Sequence, residues 1–128
     1  MITKQVHDKF KVFTGPLASD LTIGKLADEV AAFAHKNRVA AKSIGVEYLE
    51  GAHRLLITLG YRDDAEPYAI RLHSMKLGKI DAMAKDFSAL EKAMSDASAK
   101  IANIICHELF VTGDGDFVAV FMTHEAHQ

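Results

Sequence analysis

Residues 43–62 read SIGVEYLEGAHRLLITLGYR, and this stretch decides the fold. Its first arm, residues 44–48, alternates larger apolar or aromatic residues with glycine and glutamate, and its second arm, residues 55–61, keeps the same period of two. Such alternation places each set of side chains on one face of an extended strand. Residues 50–53, EGAH, lie between the arms, and their glycine can adopt the positive φ that tight turns require. The stretch therefore predicts a β-hairpin.

The two arms of this hairpin differ on their second face. The first arm presents Glu47 there, which suits contact with water, whereas the second arm presents Leu56 and Thr58, which suit partial burial. A strand that is apolar on both faces is usually central in its sheet and covered on both sides. The second arm is therefore expected to be a central strand.

Periodicity along the rest of the chain predicts two helices and four further strands. Apolar residues at spacings of three and four mark the helices, and alternation with a period of two marks the strands. Residues 76–85 fit either a loop or a short helical lead-in to the second helix. The helices are expected at residues 22–37 and 86–101, and the strands at residues 4–14, 68–75, 104–111 and 117–123.

Polar residues near the ends of the two helices are candidates for caps. Thr22 can accept a hydrogen bond from the first turn of the first helix, and Asn37 suits its C-terminal end. In the second helix Ser88 and Glu91 have the spacing of a capping box, although Asp86 could cap that helix instead. The sequence leaves this choice open.

The order of these elements is β-α-β-β-β-α-β-β, which predicts an α+β domain. We expect a single, mostly antiparallel sheet of about six strands, with both helices packed on one face. Strand 68–75 is expected to extend the hairpin as a third meander strand. Each helix is followed by a meander, which is a weak indication of an internal repeat whose second unit has one strand fewer.

Composition limits the classes of protein that the chain can belong to. A chain of 128 residues is expected to form one domain, and its 49% hydrophobic and 25% charged residues are typical of a globular protein. A net charge of -2 gives no general attraction to nucleic acid or to an anionic membrane, so neither partner is predicted.

Cysteine content and apolar runs predict a cytoplasmic protein. The single cysteine, Cys106, cannot form an intrachain disulfide, so nothing requires an oxidising compartment. The first ten residues, MITKQVHDKF, contain no apolar core of a secretory signal. The longest strongly apolar run, residues 117–122, is too short to span a bilayer.

Two helices on one face of the expected sheet would leave apolar strand residues uncovered on the other face. An exposed apolar patch of several hundred Å² marks an interaction site, and a symmetric homodimer is the commonest way to cover it. The alternative is that residues 76–85 fold over this face. The candidate interface residues are Leu56, Thr58, Met75, Phe110, Val118, Val120 and Met122.

A basic cluster is the strongest candidate for a ligand site. Arg71 and His73 share one face of their strand, and pairing with the hairpin would bring Arg62 and His53 beside them. Such a cluster can bind a carboxylate or a phosphate, and a solvated face or a dimer rim is the alternative. Tyr61, together with Tyr48, could add polar groups to a pocket between the helices and the sheet.

The remaining histidines, the cysteine and the glycine-rich turn give weaker signals. His124 and His127 would lie on one side of a helical turn, but zinc needs three or four ligands, and a disordered tail is the alternative. Cys106 and His107 point to opposite faces of a strand, so they cannot form a nucleophile-base pair, and Cys106 is interpreted as an inert buried residue. Residues 113–116, GDGD, predict a hairpin turn and not a calcium loop. No cofactor is predicted.

Because no convergent catalytic set is visible, the leading hypothesis is a non-catalytic, homodimeric binding or accessory module. The alternative is a small-molecule-binding protein or an enzyme with a pocket between helices and sheet. In that alternative, His53, Tyr61, Arg71 and His73 would contact the ligand.

Overall fold

A computed structural model describes residues 8–16, 20–52, 54–63 and 68–125 of the chain. One turn of 3₁₀ helix, Glu50–Ala52, joins the two arms of the first hairpin. The elements are β1 (Lys9–Pro16), α1 (Asp20–Asn37), β2 (Ala40–Leu49), β3 (Arg54–Arg62), β4 (Ile70–Lys79), α2 (Ile80–Met83), α3 (Phe87–Ala99), β5 (Ile104–Val111) and β6 (Asp116–His124).

The strands form two antiparallel sheets of three strands each, with the orders β1-β3-β2 and β4-β6-β5. The α+β class and both hairpins are confirmed, and β3 is central as expected. The prediction of one six-stranded sheet with two helices is wrong in these details. Because β1 and β2 occupy both edges of β3, no edge remains for the strand that was expected to extend the first hairpin. That strand is β4, and it pairs with β6 instead.

The two sheets are built from two units of the same topology. Each unit runs strand, helix, strand, strand, with the short helix α2 as an addition in the second unit. In each unit the third strand lies between the first and the second. β4 therefore begins the second unit and does not end the first. The repeat that the sequence indicated is present in the strand order of the two units. The expectation that the second unit has one strand fewer is wrong.

The two sheets meet where β2 and β5 lie side by side. Ile44 in β2 lies close enough to Cys106 in β5 for its backbone amide to lower the pKa of the thiol, although burial raises that pKa more. Further along, a Cβ atom on Gly113, just beyond β5, would lie 2.9 Å from the hydroxyl of Tyr48. Residue numbers increase in the same direction along both strands, so β2 and β5 run parallel to each other.

Helix α1 organises the larger core. It packs mainly against β4 and β1, and its buried face includes Leu26 and Val30, which are 2% and 0% exposed. Both sheets contribute to this core, which means that they wrap around α1 from two sides. The strand residues buried there include Ile44, Val46, Leu55, Ile57, Leu59, Leu72, Phe110, Val118, Val120 and Met122.

Helix α3 covers the opposite face of the second sheet. Ala97 of α3 is buried together with Ala119 and Phe121 of β6, and Met75 and Leu109 of the flanking strands pack against them. Neighbouring residues of β6 therefore enter different cores, since odd-numbered side chains meet α3 and even-numbered ones meet the α1 core. The expectation that both helices share one face is wrong.

The connections of the two units explain why the helices lie on opposite faces. The first unit begins at the far edge of one sheet and the second unit at the far edge of the other, so both cross over toward the β2–β5 contact. A crossover between parallel strands is almost always right-handed. The two crossovers run toward each other across the sheets, and the strands that they join all point the same way. Two right-handed crossovers of this kind must pass over opposite faces.

The helix ends resolve the open question about caps. Helix α1 begins at Asp20, two residues before Thr22, so Thr22 is inside the helix. Asn37 ends the helix, and its side-chain amide donates to the carbonyl of Phe33 at 2.9 Å. In α3 the carboxylate of Asp86 accepts from the amide of Ser88 at 3.0 Å, so Asp86 is the cap. The side-chain hydroxyl of Ser88 lowers the pKa of Asp86 most, and the backbone amide of Ser88 adds to this.

Candidate functional site

An open cleft of about 670 Å³ lies at the end of α3, where the chain turns from the helix toward β5. Four basic side chains line it: Arg71 and His73 from β4, Lys100 from the residue after α3, and His124 from the end of β6. Glu125 is the acidic residue of the lining. Separate elements thus bring four basic groups to one concave surface, which is the usual form of a ligand site.

Hydrogen bonds fix the orientation of His73. The hydroxyl of Thr123 donates to the carbonyl oxygen of Arg71 at 3.3 Å, and the hydroxyl oxygen of Thr123 lies 3.2 Å from Nε2 of His73. Because the hydroxyl proton is already used, Nε2 of His73 must donate to the Thr123 oxygen. The other ring nitrogen, Nδ1, is then the one left to meet a ligand, and it can donate to an anion only in the imidazolium form of His73.

Arg71 is held at the mouth of the cleft by a weak ion pair. Its Nε lies 3.6 Å from Oε1 of Glu125, and the two side chains are 68% and 43% exposed. A pair as exposed as this contributes about 0–1 kcal/mol. An incoming anion can therefore replace Glu125 at little cost, and the planar guanidinium can bind a carboxylate or a phosphate with two hydrogen bonds.

The loop after α3 and the end of β6 close the cleft on its second side. The amide of His124 donates to the carbonyl of Asn103 at 2.9 Å, and Asn103 has a φ of 62°, a conformation that asparagine tolerates. The ring of His124 packs edge-on against Tyr68 at 4.8 Å between centroids. Burial raises the pKa of the Tyr68 phenol, and the nearby Cys106 adds to this. The hydroxyl of Tyr68 donates to the carbonyl of Ala41, and this hydrogen bond connects the second side of the cleft to β2.

The rest of the lining is mixed, because Ser74, Asn103 and Thr123 are polar and the remaining three residues are apolar. Met75, Ile101 and Ala102 contribute carbon surface beside the basic groups. The volume falls within the range of about 300–1,000 Å³ that is typical of sites for small molecules. The cleft therefore suits a small anion whose body has some apolar surface.

Two of the four predicted ligand residues line this cleft. Arg71 and His73 lie together as their strand period predicted. Tyr61 lies elsewhere, with its ring 5.4 Å from that of Phe33, and Arg62 of the expected cluster pairs with Asp8 at 3.7 Å. His53 lies outside the described residues.

Sequence reasoning missed Lys100 and His124 as partners of Arg71 and His73. They join the cleft because β4 pairs with β6 and because α3 crosses the outer side of that sheet. No spacing in the sequence indicates either arrangement. The nearest signal was the cationic residue at the end of a predicted helix, which is common in helices of every function.

The structure gives no support to a metal or nucleophile site. Among residues 8–16, 20–52, 54–63 and 68–125, no three histidine, cysteine or acidic side chains lie close enough to hold a metal ion. His124 lines the cleft, and His127 is not among the described residues. Burial raises the pKa of the Cys106 thiol, the amide of Ile44 partly offsets this, and the carboxylate of Glu108 adds to it. A raised pKa lowers the fraction of reactive thiolate.

Most of the candidate dimer interface lies inside one chain. Phe110, Val118, Val120 and Met122 are 0–6% exposed because they pack in the α1 core, and Met75 lies partly buried under α3. These residues are removed from the expected interface, since the apolar face that seemed to need a partner is already covered by a helix. Leu56 and Thr58 remain half-buried on the face of the first sheet that points away from α1.

No family model, curated protein or solved structure matches this chain. No helix within the described part of the chain is long and apolar enough to cross a membrane.

Proposed function

We propose that this protein is a small cytoplasmic accessory module that binds an anionic small molecule in the cleft, without catalysing a reaction, and that it works as a homodimer. The observation that supports binding most strongly is the convergence of Arg71, His73, Lys100 and His124 on one open cleft. Two of these groups carry permanent positive charge at neutral pH, against one carboxylate, Glu125.

The hydroxyl beside His73 argues for binding and not for catalysis. Thr123 is 2% exposed, and its proton is directed to a backbone carbonyl. A nucleophile must reach the substrate and must give its proton to the base. The hydroxyl of Thr123 does neither, and its contact with His73 orients the imidazole instead.

The test is a calorimetric titration with inorganic phosphate and with malonate, in buffers whose ionic strength is held constant with sodium chloride. We expect millimolar or tighter binding, and about tenfold weaker binding for Arg71→Gln or Lys100→Gln, because each removes a charged hydrogen-bond donor. Lys92→Gln is the matched control, since Lys92 is 80% exposed on α3, pairs only weakly with Asp96 at 3.9 Å and does not line the cleft.

Two results would overturn the anion site. One is the absence of heat and of any thermal stabilisation with either anion at millimolar concentration. The other is an equal loss of affinity in Lys92→Gln and in Lys100→Gln, which would show a diffuse effect of net charge. Turnover of a phosphate or carboxylate ester by the purified protein, abolished in His73→Asn, would replace the binding role with an enzymatic one.

A further inference from the structure

We infer that two copies of this chain meet through the outer face of the first sheet, which is the face of β1-β3-β2 turned away from α1. This inference names the surface of the homodimer in the proposed function and does not depend on the cleft. Strand register aligns Val12 and Gly45 with Thr58. The outer face includes Phe10, Val12, Thr14, Pro16, Ser43, Gly45, Glu47, Leu49, Arg54, Leu56, Thr58 and Gly60.

Large apolar side chains are exposed on this face. Phe10 and Val12 of β1 are 64% and 52% exposed, and Leu49 of β2 is 38% exposed. The ring of Phe10 lies across Gly60, since a Cβ atom there would be 3.3 Å from Cε1 of Phe10. The side of the Phe10 ring that faces away from Gly60 is largely exposed. Phe10 and Val12 adjoin each other on β1, whereas Leu49 lies on the other edge strand, opposite Arg54, and the half-buried Leu56 lies between them. Exposed apolar side chains spread over one face of a sheet are typical of an interaction surface.

The second unit shows how the molecule treats the equivalent surface. In the second sheet α1 covers one face and α3 covers the other. In the first sheet α1 covers the inner face, and no described helix or strand lies over the outer one. Within the described part of the chain, the first unit therefore has the same topology as the second but only one covered face.

Charge on the outer face favours a second copy as the occupant. Glu47 lies opposite Leu56 in the strand register, and Arg54 is the next outward-facing residue along β3. A twofold axis presents the same surface to itself, so Glu47 of each copy can meet Arg54 of the other. The Nε atom of Arg54 donates to the hydroxyl of Thr14 at 3.1 Å, which leaves its two terminal nitrogens for a carboxylate.

The size of the face sets the strength of association. Three strands about 4.8 Å apart, each about eight residues long at about 3.4 Å per residue, cover roughly 400 Å² in projection. Side chains roughen this surface, so a pair of faces buries on the order of 1,000 Å², at the low end of specific interfaces. An interface of this size is typical of transient complexes and not of obligate dimers, so we expect a dimer that dissociates on dilution.

The experiment is light scattering coupled to size exclusion, over protein concentrations from low micromolar to several hundred micromolar. We expect the mass to rise from the 14.0 kDa of one chain toward twice that value. Phe10→Asp should hold the protein at the mass of one chain. Phe87→Asp is the matched control, because Phe87 is 59% exposed on α3 and should leave the dimer intact.

Charge reversal tests the orientation of the two copies. Glu47→Arg and Arg54→Glu should each weaken the dimer by about tenfold, and the two together should restore it. A chain that stays monomeric at the highest concentration overturns the inference, and so does a dimer that Phe87→Asp disrupts while Phe10→Asp does not. A monomer that still binds phosphate removes the dimer and leaves the cleft, so the two proposals fail separately.

Discussion

Replacing Phe121 by alanine tests the arrangement of the two helices most directly. Phe121 is 3% exposed and lies on the α3 face of β6, in contact with the cluster around Ala97 and Ala119. Removing a buried phenylalanine side chain costs about 3–5 kcal/mol, since apolar contact is lost and a cavity remains. For a chain of this length that corresponds to a fall of roughly 10–20 °C in melting temperature.

The assay is urea denaturation followed by circular dichroism, with wild type and variant compared at two protein concentrations. The matched control is Phe10→Ala, which removes the same side chain from an exposed position and should cost less than about 0.5 kcal/mol within one chain. Phe121→Leu keeps most of the volume and should cost about 1 kcal/mol.

The difference in the free energy of unfolding between wild type and Phe121→Ala should be the same at both protein concentrations, because a helix of the same chain covers this face of β6. A loss below about 1 kcal/mol would refute the burial of Phe121 under α3. A loss that changes on dilution would show that a second chain covers this face of β6, as the sequence pattern first indicated.

Three further substitutions test local features of the structure. Gly113→Ala should destabilise the fold by about 1–2 kcal/mol, because its Cβ would lie 2.9 Å from the hydroxyl of Tyr48 at the contact between the two sheets. Asp116→Asn should cost about 1 kcal/mol, because this carboxylate is 4% exposed and lies 3.2 Å from Nζ of the largely exposed Lys79. Asp86→Ala should lower the melting temperature at neutral pH by a few degrees, because it removes the cap of α3.

For each of these substitutions, a control variant or a change of condition distinguishes the proposed cause from other causes of destabilisation. Gly51→Ala should be nearly neutral, since no atom lies within 4 Å of a Cβ there, and an equal loss would point to backbone effects. High salt should reduce the difference in the free energy of unfolding between Asp116→Asn and wild type, because salt screens the ion pair. The folded pKa of Asp86 is lowered, so its charge stabilises the fold above the unfolded pKa and loses this effect as the pH falls through the folded pKa. The advantage of wild type over Asp86→Ala should therefore shrink in acid, and a constant difference would contradict the assignment of the cap.

Part of the candidate site could be predicted from the sequence because it depends on one strand. Arg71 and His73 are two residues apart, and the period of a strand places them on one face wherever that strand lies. Lys100 and His124 come from other elements, and their approach depends on which strand pairs with β4. The sequence placed that strand beside the first hairpin, so it assigned Arg62 and His53 as neighbours instead.

The apolar pattern of β6 predicted the wrong covering element, a second chain and not a helix, for a physical reason. A strand that is apolar on both faces must be covered on both faces, but the pattern does not say by what. Side chains of β6 meet α1 on one face and α3 on the other, whereas the same pattern was expected to meet a second chain. The side of the sheet that a helix covers depends on the direction of its crossover, which involves strands far apart in the sequence.

The sequence by itself determined the α+β class, two helices, both hairpins and the pairing of Arg71 with His73 on one face, because these features depend on residues close together in the chain. Tertiary structure alone decided the division into two sheets, the placement of α3 opposite α1, and the meeting of four basic groups in one cleft. These features depend on strand pairing and crossover direction, and local periodicity carries no information about either.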